Sequence, residues 1–168
     1  MPTRLTDGTQ VAIRAIRPDD KRMLAKGLAL LPDETRRRRF LSAKPRLTAA
    51  ELRYLTEVDG EAHFALVAVL ADNPHHVVGV ARFVKLPDGS GTADAAIVVG
   101  DPWQRRGLGR RLALMLADAA RARGVRRFSA TMLSDNPAAL ALMRTLAARL
   151  EGGVHSGGVR EFVADLAA

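Results

Sequence analysis

The chain has 168 residues, 48% of them hydrophobic, and a formal net charge of +8. This length is sufficient for a buried core, and we expect a single domain over residues 1–168. Cysteine is absent, which excludes disulfides, thiolate catalysis and cysteine-bound zinc and favours the reducing cytoplasm as the location. No apolar run approaches the roughly 18 residues of a membrane span. The four histidines lack metal-ligand spacing, so we expect neither a membrane segment nor a metal site.

The charge is distributed unevenly along the chain. Residues 1–50 contain 12 basic and 5 acidic side chains, residues 51–101 contain 3 and 8, and residues 102–168 contain 11 and 5. A basic excess favours an anionic partner such as nucleic acid, a membrane surface or a phosphate-bearing cofactor. The run Arg36–Arg39 lacks the interleaved aromatic residues of single-strand binders. Nucleic-acid binding is therefore not expected, and the run is interpreted as an exposed helix face on which an acidic protein could dock.

Strand and helix signals follow one another along the whole chain. Thr48 with Glu51 three residues later forms a capping box that starts a helix, and Asp72-Asn73-Pro74 is typical of a turn between two apolar strands. Strands are predicted over residues 10–16, 63–70, 77–86, 92–99, 126–132 and 159–166, and helices over about 19–31, 32–41, 49–58, 107–123 and 137–150. This order predicts an α+β (mixed α/β) fold with a twisted mixed sheet of six to seven strands and helices on both faces.

The most informative segment is the loop that follows the strand over 92–99. It contains Gln104-Arg105-Arg106-Gly107-Leu108-Gly109 and leads into an amphipathic helix; we call residues 104–109 the glycine loop. Glycines let the backbone approach a ligand closely, and the first-turn N–H groups together with the helix dipole favour a negative charge. With Arg110 and Arg111 following, the pattern predicts a pyrophosphate site, although an ordinary helix start with exposed arginines has the same local sequence.

The glycine loop resembles motif A of the GNAT superfamily of acyl-CoA-dependent N-acyltransferases, in which Gln/Arg-x-x-Gly-x-Gly/Ala follows an apolar strand. Asn136-Pro-Ala-Ala139 resembles the second motif of that family. Further segments resemble the catalytic domain of bacterial Pat-type protein lysine acetyltransferases: Asp7-Gly8-Thr9, Arg14-x-Ile16-Arg17-Pro18-x-Asp20, Arg39-Phe40, Leu47-Thr48, Leu55-Thr56-x-Val58-Asp59 and Val78-Gly79-Val80-Ala81-Arg82. The resemblance implies a GNAT fold.

The same resemblance implies where acetyl-CoA would bind. In the family, the strand before motif A splays from its neighbour at a bulge, and the pantetheine lies along the freed edge. Carried over to this sequence, the contacts come from the backbone of Ile97, Val98 and Val99 and from Gln104, Arg105, Arg106, Gly107, Leu108, Gly109 and Arg110 around the pyrophosphate. Asn136 would contact the cofactor as well, and since Pro137 follows it, Asn136 is also predicted to cap the next helix.

The acceptor chemistry requires a base. A lysine amine with a pKa near 10.4 is unprotonated only about once in 2,500 times at pH 7, a deficit of roughly 4.6 kcal/mol. In Pat-type enzymes a glutamate stands in the strand before motif A, and Asp94 occupies the matching position here. The resemblance implies that Asp94 is the general base, reached directly or through a water; the shorter side chain of aspartate favours the water. The alternative is a solvated carboxylate at a strand edge.

Besides Asp94 in place of glutamate, two departures from the family pattern leave the function open. Met143 stands where many members have a tyrosine that protonates the thiolate, and Ala147-Ala148 replace a Gly-Phe pair. Trp103 precedes the glycine loop and either covers the mouth of the site or packs against the core.

The leading hypothesis is acetyl transfer from acetyl-CoA to a protein lysine ε-amine by direct transfer, with the acidic middle segment facing the amine. A small-molecule or protein α-amine acetyltransferase and an inactive CoA-binding regulatory module are alternatives. The oligomeric state is open, a homodimer included.

Overall fold

One eight-stranded sheet forms the centre of the protein. The structure is a computed structural model and describes residues 2–40, 46–133 and 136–167. The strands are β1 Pro2–Arg4, β2 Gln10–Ala15, β3 His63–Leu70, β4 Asn73–Lys85, β5 Thr92–Val99, β6 Arg127–Leu133, β7 Ala147–Ser156 and β8 Val159–Leu166. They are arranged in the order β1-β2-β3-β4-β5-β6-β8-β7. Neighbours are antiparallel except for the parallel pair β5–β6, so the predicted mixed sheet is confirmed.

Within the described part of the chain, five α-helices cover the two faces of the sheet. They are α1 Lys21–Ala29, α2 Asp33–Phe40, α3 Ala49–Thr56, α4 Leu108–Ala122 and α5 Pro137–Leu146. The predicted capping box starts α3, because the Thr48 hydroxyl accepts from the Glu51 N–H at 3.1 Å and the Glu51 carboxylate accepts from the Thr48 N–H at 3.1 Å. Helix α4 buries Leu108, Leu112 and Leu116 completely, as the amphipathic pattern predicts.

The two faces of the sheet have separate cores. Side chains of α4 pack with Phe83 and Phe128 on one face. On the other face, Met23 and Leu24 of α1 pack against Val67 and Val80. Because strand side chains alternate between faces, the odd-numbered residues of β5 from Ala93 to Val99 pack in the α4-side core, and Val98 packs in the other. Asp94 and Ala96 share the face of Val98.

The chain has more strands than the six to seven predicted. The helix predicted over 137–150 ends at Leu146, and the chain continues as β7. Its alanines and leucine favour a helix locally, but antiparallel pairing with β8 overrides that preference. Gly157 and Gly158 connect the two strands with φ of +60° and +76°, as a two-residue type I′ hairpin requires. The sequence pattern also does not predict the short strand β1.

Strand β4 begins earlier than predicted. Asn73 and Pro74 belong to β4, although the sequence places them in a turn. Proline is tolerated at the first residues of a strand and beside bulges, and the β3–β4 pairing is irregular at this end, near Val69.

Candidate active site

Strands β5 and β6 are joined over three residue pairs and then separate. The pairs are Thr92 with Arg127, Ala93 with Phe128 and Asp94 with Ser129. Beyond them β5 stays paired with β4 as far as Val99, and β6 stays paired with β8 as far as Leu133. We call the opening between β5 and β6 the fork. It leaves one edge of β5 without a strand partner in the middle of the sheet.

The backbone of β5 presents alternate residues to the fork. The Gly100 N–H donates to the Val78 carbonyl at 2.9 Å, and the Leu86 N–H donates to the Thr92 carbonyl at 2.9 Å. With an unbroken register between these two bonds, the N–H and C=O groups of even-numbered residues point to β4. Those of Ile97 and Val99 therefore point into the fork, whereas those of Val98 do not.

Of the three predicted backbone contacts, those of Ile97 and Val99 face the fork, whereas that of Val98 faces β4. The unbroken β4–β5 register also shows that β5 separates from β6 without the bulge that the resemblance implies.

The glycine loop lies at the end of β5 and opens α4. Gly107 is the N-cap of α4 with φ +88°, and no side chain caps the helix. Arg105 also has a positive φ, +59°. The first intrahelical bond runs from the Arg111 N–H to the Gly107 carbonyl at 3.0 Å, so the N–H groups of Leu108, Gly109 and Arg110 have no intrahelical acceptor. The turn therefore offers several donors and the positive end of a helix dipole to an anion.

Two side chains of the glycine loop hold its shape. The Gln104 amide donates to the Val99 carbonyl at 2.9 Å and so fixes the loop to the end of β5. The Arg106 guanidinium donates to the Pro102 carbonyl at 2.9 Å and pairs with Asp7 at 2.6 Å. Because its charge is matched by Asp7, the side chain of Arg106 is a structural element of the loop, and the exposed side chains of Arg105 and Arg110 are the ones directed to solvent.

Helix α5 approaches the start of α4 closely. A Cβ at Gly109 would lie 3.6 Å from a Leu142 methyl carbon and 3.8 Å from one of Val99, which is ordinary van der Waals contact, so strand, helix start and α5 meet at this residue. At the start of α5, the Asn136 side chain accepts from the Ala139 N–H at 3.3 Å. The predicted cap is therefore present, and Asn136 lies beyond β6, on the far side of the fork.

Asp94 lies at the base of the fork, on the last residue pair that joins β5 to β6. Its carboxylate accepts a hydrogen bond from the Ser129 hydroxyl. The side chain is exposed and lines a cavity of about 300 Å³, which we call the smaller cavity. A carboxylate held by a neighbouring strand and open to a cavity is suited to accept a proton from a bound amine.

A larger cavity of about 340 Å³ lies on the same face of the sheet. Its walls include Leu24, Val80 and Val98 from the core of that face, and it extends to Gly100 and Trp103 beside the glycine loop. Trp103 packs against the α4-side core as well and contacts His76 edge-on, with ring centroids 5.2 Å apart. Trp103 therefore packs against the core, as one interpretation predicts, and also lines the larger cavity.

The arginine run of α2 is not a free basic surface. Arg36 pairs with Asp33, and Arg37 and Arg38 pair with Glu34. Arg39 turns inward and lines both cavities. Arg39 therefore contributes to the site, whereas Arg37 and Arg38 stay partly exposed in their ion pairs with Glu34. The cavity beside Asp94 has walls of mixed charge instead of the acidic surface expected from the middle segment.

Met143 is 5% exposed and packs with Met132, Phe162 and Ala164. It is a core residue of α5 with no titratable group. Ala147, which follows α5, starts β7 and packs against the same cluster.

The residues that surround Asp94 are not evident from the sequence. The smaller cavity is also lined by Arg39, Glu51, Tyr54 and Arg82, which come from α2, α3 and β4. Strand alternation supplies the one usable signal for Arg82, because Arg82 lies opposite Ala96, on the face that also carries Asp94.

Within the described ranges, no helix has the length and apolarity needed to cross a membrane. The same residues contain no group of three or more histidine, aspartate or glutamate side chains that could hold a metal ion.

Comparison with known proteins agrees with this geometry. Residues 26–147, more than half of the chain, match the model of the Acetyltransferase (GNAT) family. The acetyltransferase Pat of Mycolicibacterium smegmatis is 36% identical over 110 residues, which are 65% of this chain and 32% of the relative.

Two solved structures match nearly the whole chain. The GNAT domain of S. lividans PAT has a TM-score of 0.87 at 26% identity, over 99% of this chain and 96% of that one. The cAMP-binding acyltransferase from Mycobacterium smegmatis has a TM-score of 0.67 at 31% identity, over 100% of this chain and 47% of that one. The matched part of this chain spans about a third of the length of the curated Pat relative. From its fork, its glycine loop and the family match, the chain belongs to the GNAT acetyltransferase family and is related to Pat.

Proposed function

We propose that this acetyltransferase moves the acetyl group of acetyl-CoA to a primary amine, the ε-amine of a protein lysine, by direct transfer with Asp94 as general base. The observation that carries the proposal is the position of Asp94 at the base of the fork, on the last pair that joins β5 to β6. The relation to Pat supports the choice of a protein lysine as acceptor.

The residues of the glycine loop fit the anionic part of acetyl-CoA. The side-chain-free N-cap at Gly107 and the first-turn amides of α4 supply donors for a pyrophosphate. Ile97 presents a backbone N–H and carbonyl, and Val99 a backbone N–H, along the open edge of β5, where an amide-containing chain can pair as a strand does; the Val99 carbonyl already accepts from Gln104. When bound, acetyl-CoA supplies the activated acyl thioester.

Asp94 performs the proton transfer in this proposal. The Ser129 hydroxyl donates to its carboxylate and thereby orients it toward the smaller cavity. The acceptor enters from this cavity as an ammonium and gives one proton to Asp94, directly or through one water. The resulting amine attacks the thioester carbonyl, the C–S bond breaks as the C–N bond forms, and the proton released by the nitrogen is taken up by the leaving thiolate of CoA. With no cysteine in the chain, no thiol is present to carry the acetyl group, which supports direct transfer over an acyl-cysteine route.

The test is turnover of Asp94→Ala, followed as thiol release from acetyl-CoA with lysine-containing proteins, peptides and small amines. We expect a loss of about 10²–10⁴-fold in kcat with unchanged acetyl-CoA binding, because Asp94 lies outside the glycine loop. Asp118→Asn is the matched control, since it removes a carboxylate that is 74% exposed on α4. Full turnover by Asp94→Ala would eliminate Asp94 as the base.

The amine panel also separates the alternatives. Thiol release with small amines alone would replace the protein acceptor by a small molecule. Acetyl-CoA binding with no release for any amine would identify an inactive regulatory module. Absence of acetyl-CoA binding in a calorimetric titration at low salt would overturn the whole proposal.

A further inference from the structure

The two cavities share one stretch of wall. Arg39, Leu55 and Arg82 line both of them. One cavity contains Asp94, and the other reaches the residues before the glycine loop. An acceptor that brings its amine to Asp94 under the proposed function therefore passes this shared wall.

Arg82 is a buried cation with an incomplete set of partners. It is 5% exposed. Its Nη1 donates to the Leu55 carbonyl at 3.0 Å and lies 3.0 Å from His63 Nε2. Its Nε is buried and has no hydrogen-bond partner among the described residues. A buried donor left without an acceptor costs free energy, and a bound ligand can remove that cost.

The surroundings of Arg82 do not neutralise its charge. Within residues 2–40, 46–133 and 136–167, no carboxylate is recorded in an ion pair with Arg82. Burial and the charge of Arg39 lower the pKa of Arg82 to about 9, so it is still a cation at neutral pH. Burial and Arg82 itself lower the pKa of His63 to about 4, so His63 is neutral. The remaining carboxylate of the smaller cavity, Glu51, accepts from the Thr48 N–H in the capping box.

The sheet fixes the position of Arg82 relative to Asp94. Arg82 pairs with Ala96, and Asp94 pairs with Val84, on the same antiparallel ladder. Arg82 and Asp94 are therefore diagonal neighbours on one face, with their Cα atoms about 7–8 Å apart. An extended peptide places the Cα atoms of residues i and i+2 on one side at about 6.6–6.8 Å. The two Cα spacings are similar, differing by less than about 1.5 Å.

We infer that Arg82, with Arg39 beside it, forms an anion subsite of the acceptor groove, and that the acceptor is a lysine with an acidic side chain two residues away. The inference rests on the proposed function, since it requires an amine at Asp94. A guanidinium in a cavity wall binds a carboxylate through charge-assisted hydrogen bonds, and a buried pair is weakly screened by salt.

Peptide binding tests the subsite without measuring transfer. Calorimetric titrations use the full chain with CoA, which allows no acetyl transfer. The peptides contain Lys-Ala-Glu or Glu-Ala-Lys, each compared with the same peptide carrying glutamine in place of glutamate, and a Lys-Glu-Ala peptide serves as the register control. We expect the two Glu peptides to bind at least about tenfold more tightly than their Gln partners at 0.15 M salt, and the register control to lose most of that advantage.

Two variants assign the preference to Arg82. Arg82→Gln removes the charge and is expected to abolish the difference between Glu and Gln peptides. Arg53→Gln is the matched control, because Arg53 is exposed on α3 and lines neither cavity; it keeps the difference. Where Arg82→Gln does not fold, as judged by circular dichroism, Arg82→Lys keeps the charge but lacks the planar fork and should retain only part of the preference.

The outcomes distinguish this inference from the proposed function. Equal binding of Glu and Gln peptides by the unmodified chain overturns the subsite, even if both peptides are acetylated. A Glu preference that persists unchanged in Arg82→Gln overturns it as well. If the unmodified chain binds free lysine more tightly than lysine amide, and Arg82→Gln removes that difference, then Arg82 binds the carboxylate of a small-molecule acceptor. That result overturns the inference of an acidic side chain on a protein. Glu preference without thiol release for any amine overturns the proposed function alone.

Discussion

Gly107 is the residue whose replacement most directly tests the glycine loop. It has φ +88°, and a Cβ at this position would meet nothing within 4 Å. Alanine therefore fits the space, and its cost is the left-handed backbone conformation. That cost is about 1–2 kcal/mol for an L-residue. For a chain of this length it corresponds to a fall in Tm of about 2–8 °C.

Gly89 provides the matched control for this substitution. It has φ +72° and also has nothing within 4 Å of its Cβ position, but it lies in the turn between β4 and β5, far from the glycine loop along the chain. Gly89→Ala and Gly107→Ala should therefore lower Tm by similar amounts. The two variants differ in which groups would be displaced if the backbone changed conformation to relieve the strain.

At position 107 a rotation toward negative φ turns the first amides of α4 away from the ligand. Loss of one hydrogen bond to a charged group is about 1.5–3 kcal/mol, so Gly107→Ala should weaken acetyl-CoA binding by about tenfold to a hundredfold. Thermal denaturation by circular dichroism and calorimetric titration with acetyl-CoA measure the two effects. An unchanged Kd for Gly107→Ala, or an equal loss in Gly89→Ala, would refute the argument that these amides hold the pyrophosphate.

Three further predictions concern stability. Arg14 and Asp20 form an ion pair of 2.8 Å whose carboxylate side chain is 8% exposed; Asp20→Asn should lower the free energy of unfolding in urea by about 1.5–3 kcal/mol, and an unchanged midpoint would contradict this. Leu116 is fully buried, so Leu116→Ala should cost about 2–5 kcal/mol, whereas Leu114→Ala, at 37% exposed, should cost much less in the same titration. Burial and Arg82 lower the pKa of His63 from 6.5 to about 4, so the unfolded chain binds the extra proton and stability falls as the pH drops from about 6.5 to 4. His63→Gln should make that fall shallower in denaturation curves recorded across this range, and an equally steep fall would exclude His63.

Much of the fold can be predicted from the sequence, because the patterns that indicate its helices, strands and turns lie within short contiguous segments. Strand β5 has the bounds that its β-branched run and the preceding turn predict, and α4 follows from the spacing of its leucines. The end of α5 does not follow, since residues 147–150 have helical propensity and become a strand through pairing with β8. The Gly157-Gly158 dipeptide is the signal that indicates this hairpin.

The site was predictable in part for the same reason. The glycine loop is one contiguous segment, so residues adjacent in the sequence determine its shape. The wall around Asp94 is assembled from α2, α3 and β4, and only the tertiary fold brings Arg39 and Arg82 to it. A run of four arginines gives no indication that the last one turns inward while the first three pair with Asp33 and Glu34.

The three residue pairs between β5 and β6 have a consequence for how the protein opens. They form a narrow seam between a five-stranded and a three-stranded part of the sheet, supplemented by the packing of α4 against α5. Amides next to such a seam exchange with solvent through local openings that cost less than global unfolding. A ligand that pairs with Ile97 and Val99 would act as a further strand across the seam. At a hundredfold excess over Kd, its binding would add about 2.7 kcal/mol to the free energy needed to open the seam. Hydrogen exchange should therefore slow at both halves of the sheet together when the ligand binds.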